Sequence, residues 1–187
     1  EALVTAASAT AVAGLRGSVF CSRGVSGYPN SGWSGYQRGG PATGVTTGTR
    51  RWFMGLRGGS SAPTDVNPST LLNIVGIGYD AADTNLQLFH NDGSGTATKV
   101  DLGAARPSAD RTSLYKFASS CAAAGTEIAW EVTDLISGTV IASGTITSAD
   151  IPAATTALAP LIYSSVGGTS SVTGIAMVDW YYETSMQ

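Results

Sequence analysis

Short apolar runs of strand length recur along the chain, with turn residues between them. From Trp52 to Gly103 the runs are WFMGL, LLNIVGIGYD, LQLFHND and TKVDLG, separated by Gly, Asn, Asp or Ser. Such runs bounded by turn residues are typical of antiparallel sheets. The pattern therefore predicts an antiparallel β protein, and no segment has convincing helical periodicity.

About ten strands follow from this pattern. The candidates are residues 18–22, 51–56, 71–80, 86–90, 98–102, 113–119, 127–134, 140–147, 156–163 and 174–183. In 71–80 both alternating sets are largely apolar, so this strand is expected to be central and covered on both faces. Pro152 limits the SADIPAA stretch to one helical turn. The predicted fold class is an all-β, antiparallel two-sheet β-sandwich, because two packed sheets bury these faces most simply.

Chain length fits one domain. A chain of 187 residues buries roughly 70% of its unfolded surface, so 1–187 is expected to be a single sandwich. Residues 1–15, rich in Ala, Thr and Val, are expected to be an edge element or an interchain arm. Residues 24–48, rich in Gly, Pro and Ser, are expected to be a long loop of the kind that is usually functional or mobile.

Low charge limits the classes of partner. Charged residues are 12% of the chain and hydrophobic residues 43%, so small residues must fill many solvent-facing positions, which suggests association with other chains. The net charge of −3 gives no general attraction for nucleic acid or anionic membrane. No run approaches the ~20 apolar residues of a membrane span, and no signal peptide is recognised. We expect neither a nucleic-acid partner nor membrane insertion, and the start at Glu1 suggests a mature product or a fragment.

Five arginines lie in the first third of the chain: Arg16, Arg23, Arg38, Arg50 and Arg51. Two interpretations stay open, an anion-binding surface or solvated charges in loops.

Two cysteines, Cys21 and Cys121, are far apart in sequence. They lack a CxxC or Cys/His arrangement, so zinc is not expected. Either a long-range disulfide or two buried free thiols fits this spacing, and the thiols are the preferred interpretation.

Candidate catalytic groups are few. Glu127 and Glu131 share one face of a predicted strand, opposite Ile128, Trp130 and Val132. Their backbones are about 13 Å apart, whereas paired glycosidase carboxylates lie about 5 to 9 Å apart. His90 is the single histidine. The sequence has no GxSxG motif of the kind found in Ser/His/Asp hydrolases, so His90 is expected to make ordinary hydrogen bonds. We assign no catalytic residue and no cofactor.

The hairpin DAADTN brings together the side-chain oxygens of Asp80, Asp83 and Asn85. These residues could contribute to a Ca²⁺ site, or they cap the backbone of the turn without a metal. The spacing is not that of an EF-hand, and we assign no metal residue.

Aromatic residues in the Gly-rich segment are the candidate ligand contacts. We assign Tyr28, Trp33, Tyr36 and Arg38 to ligand binding, because aromatic rings stack on sugars and arginine supplies hydrogen bonds. The alternative is that the rings plug one end of the sandwich or pack on a neighbouring subunit. Trp52 and Trp130, inside strands, are expected to be core residues.

The segments WFMGL, NIVGIGYDAADTNLQLFHNDGSGTATKVDLG and GIAMVDWYYET resemble a recurrent pattern in bacteriophage tail fibre and minor structural proteins. This resemblance covers about half of the chain. It implies a jelly-roll or concanavalin-like β-sandwich, often trimeric at a fibre tip, with a role in host attachment or virion structure. It implies no catalytic motif, and the Gly-rich segment lies outside it.

The resulting hypothesis is a non-enzymatic phage virion protein, located in the virion after assembly in the host cytoplasm. It is expected to form a homotrimer with contacts on its final strand, to contact other virion proteins, and to bind a bacterial surface glycan. A decoration protein without a ligand and a concanavalin-like glycan hydrolase remain the alternatives.

Overall fold

The computed structural model describes residues 2–4, 8–24, 31–41, 51–59, 61–108, 112–168 and 172–184. Within these ranges the chain forms twelve strands and two 3-10 helices, Pro68–Thr70 and Ser148–Asp150. The second helix ends just before Pro152, as the predicted single turn requires. In the part of the chain that the structure describes, no helix is long and apolar enough to cross a membrane.

The strands form two antiparallel six-stranded sheets. In chain order they are β1 (Ala2–Val4), β2 (Val12–Arg16), β3 (Trp33–Pro41), β4 (Arg51–Gly58), β5 (Ile74–Tyr79), β6 (Gln87–His90), β7 (Thr98–Asp101), β8 (Tyr115–Cys121), β9 (Glu127–Asp134), β10 (Val140–Thr147), β11 (Leu158–Ser165) and β12 (Gly174–Glu183). The first sheet has the order β1-β12-β3-β8-β9-β10, and the second has the order β2-β11-β4-β5-β6-β7. The predicted all-β two-sheet sandwich is confirmed.

Alternation of side chains explains why these segments pair as strands. In β8, Tyr115, Phe117, Ser119 and Cys121 are buried, while the residues between them are partly exposed. All residues of β5 are buried, which confirms that this strand is central and covered on both faces. The sandwich therefore follows from the period of two in its strands.

The main core lies between the sheets, around Trp52. This fully buried ring lies 6.0 Å from the Tyr79 ring of the same sheet and 6.2 Å from the Tyr115 ring of the opposite sheet, between ring centroids. Trp52 thus links the layers as a core residue, as predicted. Trp130 is half-buried and packs against the same core.

A second apolar cluster covers the outer face of the second sheet. Phe53, Phe89 and Tyr163 point away from the main core, and Leu71 and Ala97 from the connecting segments pack on them. The second sheet is therefore buried on both faces at its centre.

The Gly-rich segment 24–48 contains a central strand, β3, and the prediction of a loop was wrong there. Its glycines allow neighbouring backbones to approach closely. A Cβ at Gly35 would lie 2.2 Å from the Tyr181 carbonyl oxygen, and one at Gly40 would lie 2.3 Å from the Ser113 carbonyl oxygen. Glycine here reflects tight packing within a sheet, and not chain flexibility.

The N-terminal region supplies edge strands to both sheets. Strand β1 pairs with β12 at the edge of the first sheet, and β2 pairs with β11 at the edge of the second. Of the two interpretations of 1–15, the edge element describes these parts. The candidate strand 18–22 forms only isolated bridges, such as the one from Cys21 to Leu158.

Both cysteines are buried and free. Burial raises the pKa of the Cys21 thiol, and the neighbouring Cys121 adds to the effect. Burial also raises the pKa of Cys121 to about 11, although Arg23 opposes the shift. The buried-thiol interpretation therefore matches the structure.

The carboxylate of Asp65 connects three segments of the second sheet through hydrogen bonds. One carboxylate oxygen accepts hydrogen bonds from Arg51 Nη1 at 2.8 Å and from the Gly167 backbone N–H at 2.9 Å. The other accepts from the Gly168 backbone N–H at 2.9 Å. Burial works against the charge, yet these hydrogen bonds hold the pKa of Asp65 below its ordinary value.

We predict that Asp65→Asn lowers the free energy of unfolding by about 1 to 3 kcal/mol at pH 7, since it removes charge-assisted hydrogen bonds. Because the pKa of Asp65 is lower in the folded state, its ionised carboxylate stabilises the fold at pH values above its unfolded-state pKa near 4. This stabilisation is lost as the pH falls through the folded-state pKa. The difference between wild type and variant should therefore shrink at pH 3. Urea unfolding at both pH values measures it.

Asp150→Asn is the matched control, because that residue is exposed. An Asp65→Asn deficit equally large at pH 3 and pH 7 would contradict the electrostatic explanation.

Candidate functional site

Strand β3 divides the predicted ligand residues between its two faces. Trp33 and Gln37 lie on the inner face and are buried, whereas Tyr36 and Arg38 lie on the outer face and are half-buried. Because side chains alternate along a strand, residues at odd and even positions cannot share a surface. Tyr28 lies outside the described residues.

Trp33 is a core residue. Its side chain is 1% exposed, and its Nε1 donates a hydrogen bond at 3.2 Å to Ser119 Oγ on the neighbouring strand β8 of the same sheet. The ring has no free face for a ligand, so its assignment to ligand binding is corrected. Trp33 instead packs in the core between the two sheets.

Tyr36 and Arg38 form part of a partly exposed group on the outer face of the first sheet. Strand pairing places Tyr36 opposite Tyr181 of β12, and Arg38 between Asp179 of β12 and Lys116 of β8. The Tyr36 and Tyr181 ring centroids are 6.3 Å apart. We call these five residues the tyrosine platform.

Two cations flank the Tyr36 ring. Arg38 Cζ lies 5.5 Å and Lys116 Nζ 5.9 Å from the ring centroid, distances at which a cation is attracted to an aromatic face. Tyr181 is 54% exposed, and its hydroxyl donates a hydrogen bond to Glu183 Oε2 at 2.9 Å. The platform therefore presents aromatic surface held in place by charged neighbours.

A two-point ion pair holds Arg38 in place. Arg38 Nε donates to Asp179 Oδ1 at 2.6 Å, and Nη2 donates to Oδ2. The hydrogen bonds raise the pKa of Arg38 and lower that of Asp179, so both groups stay charged at neutral pH. Since both side chains are more than a third exposed, the pair orients groups more than it stabilises the fold.

A shallow cavity of about 230 Å³ lies beside the platform on the same face. The cavity exists because the side chains around it are small, among them Ser34, Ala118, Ser120, Ala129 and Ser143. Glu131 lies at its rim. Glu131 accepts a hydrogen bond from Thr133 Oγ1 at 3.2 Å and lies 3.9 Å from Lys116 Nζ. Lys116 therefore connects the cavity to the platform.

Glu127 and Glu131 lie on the solvent-facing side of β9, opposite the buried Ile128 and Val132, as predicted. Both belong to one strand, so their backbones are about 13 Å apart. That spacing is unlike that of the two carboxylates that cleave glycosides.

His90 makes an ordinary hydrogen bond, as predicted. It is buried at the end of β6, and its Nδ1 lies 2.9 Å from the Asp150 carbonyl oxygen.

A lysine pairs with both aspartates of the acidic hairpin. Lys99 Nζ lies 3.2 Å from Asp80 Oδ2 and 2.5 Å from Asp83 Oδ1. Partial burial disfavours its charge, yet the hydrogen bonds to the two aspartates raise the pKa of Lys99. Asn85 is directed elsewhere, donating to Asp101 at 3.0 Å. An ammonium group thus occupies the position between Asp80 and Asp83 that a cation would take.

The N-terminal arginines do not share one surface. Arg38 pairs with Asp179, Arg51 pairs with Asp65, and Arg23 donates to the Pro152 and Gly125 carbonyl oxygens. These three are individually partnered on different elements, and Arg50 lies outside the described residues.

No protein-family model matches the chain, and no curated protein matches it. Solved structures share its fold. Lectin II from Ulex europaeus has a TM-score of 0.57 at 10% identity, with 95% of this chain and 83% of the lectin covered. A legume lectin-like domain from Entamoeba histolytica has a TM-score of 0.51 at 12% identity, covering 98% and 84%. Alginate lyase AlgAT5 from polysaccharide lyase family 7 has a TM-score of 0.50 at 9% identity, covering 96% and 72%.

These similarities confirm the predicted fold, which is a lectin-like jelly-roll β-sandwich. At such low identity they establish the fold alone. The tail-fibre resemblance stays a prediction.

We predict that Trp33→Ala lowers the free energy of unfolding by about 3 to 5 kcal/mol, because it leaves a large cavity in the core. Tyr36→Ala, on the solvent-facing side of the same strand, should cost no more than about 1 kcal/mol. Chemical unfolding of both variants measures the difference. Equal losses would contradict the assignment of the two residues to opposite faces.

Proposed function

We propose that this chain is a carbohydrate-binding module that holds a glycan on the tyrosine platform. The observation that carries the proposal is the pair of neighbouring tyrosine rings on the outer face of the first sheet, the half-buried Tyr36 and the exposed Tyr181, beside a shallow cavity. A pyranose ring has an apolar C–H face that packs on an aromatic ring, while its hydroxyl groups need donors and acceptors.

Those donors and acceptors lie next to the rings. Arg38 and Asp179 keep unused hydrogen-bonding capacity at the edges of their ion pair, and the Ser34, Ser120 and Ser143 residues line the adjoining cavity. The groups project from paired strands, so little ordering is needed when a ligand binds.

The charge on this face supports an uncharged glycan. Three carboxylates, of Asp179, Glu131 and Glu183, accompany the two cations Arg38 and Lys116. A polyanionic polysaccharide would gain no net attraction from such a surface.

We propose binding without hydrolysis. Asp179 is held ionised by Arg38, and Glu127 and Glu131 are too far apart for a direct nucleophile and acid pair. The hydrolase alternative has one supporting observation, the position of Glu131 at the cavity rim.

The expected setting is host attachment by a phage tail fibre, in a trimer that contacts other virion proteins. Its support is the sequence resemblance, together with Val178 of β12, an apolar side chain that is 50% exposed. A decoration protein that contacts other virion proteins alone would leave the platform without a ligand.

We predict that the chain binds uncharged members of a bacterial-glycan array, and that Tyr36→Ala and Tyr181→Ala each weaken binding at least tenfold by isothermal titration calorimetry. Val100→Ala is the control, because it shortens an exposed apolar side chain on β7 of the other sheet. Glycan binding that neither tyrosine substitution weakens would contradict the assignment of the platform as the binding site. Release of reducing ends that disappears in Glu131→Gln would favour the hydrolase.

Light scattering of the 18.9 kDa chain is predicted to give a stable trimer over a range of concentrations. The Tyr181→Glu variant should remain trimeric if Tyr181 contacts the ligand and not another subunit. A monomeric wild-type chain would contradict the fibre setting, and loss of the trimer in Tyr181→Glu would assign this residue to a subunit contact.

A further inference from the structure

The second sheet has a cleft that is separate from the tyrosine platform. It has a volume of about 420 Å³ and lies where β2 and β11 meet the segment after β4. The apolar side chains of Val12, Leu161, Ala62 and Pro63 line part of this cleft, and Arg16 also lines it. Its volume falls in the range of small-molecule sites.

Strand pairing brings a second arginine close to Arg16. Leu161 of β11 is opposite Arg16 on one side and Gly55 of β4 on the other, and Arg57 follows two residues after Gly55 on the same face. Both guanidinium groups donate to carbonyl oxygens of the segment after β4. Arg16 donates to Gly59, and Arg57 Nη1 donates to Ser61 at 2.9 Å.

Arg57 carries a charge that no carboxylate balances among the described residues. Arg38, Arg51, Lys99, Arg106 and Lys116 each pair with an acidic side chain. The Nε of Arg57 is buried and has no hydrogen-bond acceptor in the described structure. Burial lowers the pKa of Arg57, and the charge of Arg16 lowers it further.

We propose that this cleft binds a small amphipathic carboxylate, with the anionic group between Arg16 and Arg57 and the apolar chain along Val12, Leu161 and Pro63. A carboxylate would accept hydrogen bonds from the guanidinium group of Arg57 and would relieve the repulsion between the two like charges. The apolar side chains in the lining provide contacts for a hydrocarbon chain, and among the described residues no second cation lines the cleft to hold another anionic group. This site does not depend on the proposed glycan binding.

Titration of the full chain with octanoate tests the proposal. We expect saturable binding of one octanoate per chain, and at least tenfold weaker binding of acetate, which lacks the chain, and of 1-octanol, which lacks the charge. Arg57→Gln should weaken octanoate binding at least tenfold. Arg106→Gln is the matched control, since it removes an arginine that pairs with Asp134 of the first sheet.

A second variant leaves the arginines intact. Ala62→Trp places a bulky ring at an exposed loop position in the cleft wall and should also abolish octanoate binding. Absence of saturable binding to the wild type would overturn the proposal. So would octanol binding as tightly as octanoate, or octanoate binding that survives both Arg57→Gln and Ala62→Trp.

Discussion

The hydrogen bond between Gln37 of the first sheet and Gly55 of the second fixes the face that β3 presents to solvent. Gln37 is 1% exposed, and its Nε2 donates to the Gly55 carbonyl oxygen at 2.6 Å across the core. A shift of one residue in the strand would bury Arg38 and leave that amide outside. Burying the charge of Arg38 without a partner would be costly, so the shift is unfavourable. The inner position of Gln37 therefore keeps Tyr36 and Arg38 on the outer face.

Much of the fold could be predicted from local pattern because most strands alternate strongly and end at turn residues. Strands β9, β10 and β12 have the predicted bounds. Strand β3 was missed because its glycines look like breakers when the neighbouring strands are unknown. Gly35 and Gly40 are required by backbones that lie far away in sequence, which no local pattern reveals.

The site was less predictable than the fold because long-range pairing assembles it. Tyr36 and Arg38 stand close together in sequence, yet Asp179, the partner of Arg38, is 141 residues away. Alternation along β3 could have separated Trp33 from Tyr36 and Arg38, had the segment been interpreted as a strand. No pattern within the chain could have placed Tyr181 beside Tyr36, since periodicity indicates faces and not neighbouring strands.

The shape of the platform limits how tightly one chain can bind. A lectin-like sandwich does not by itself imply sugar binding, so the proposal depends on the tyrosine platform. Two rings beside a shallow cavity bury little of a glycan, and fixed strands cannot close over it, so a single site should bind modestly. In the proposed trimer, linked sites would act on one surface at a high effective concentration, and avidity could then exceed the affinity of any one platform. Attachment to a repeating surface glycan is a task for which modest sites in several copies suffice.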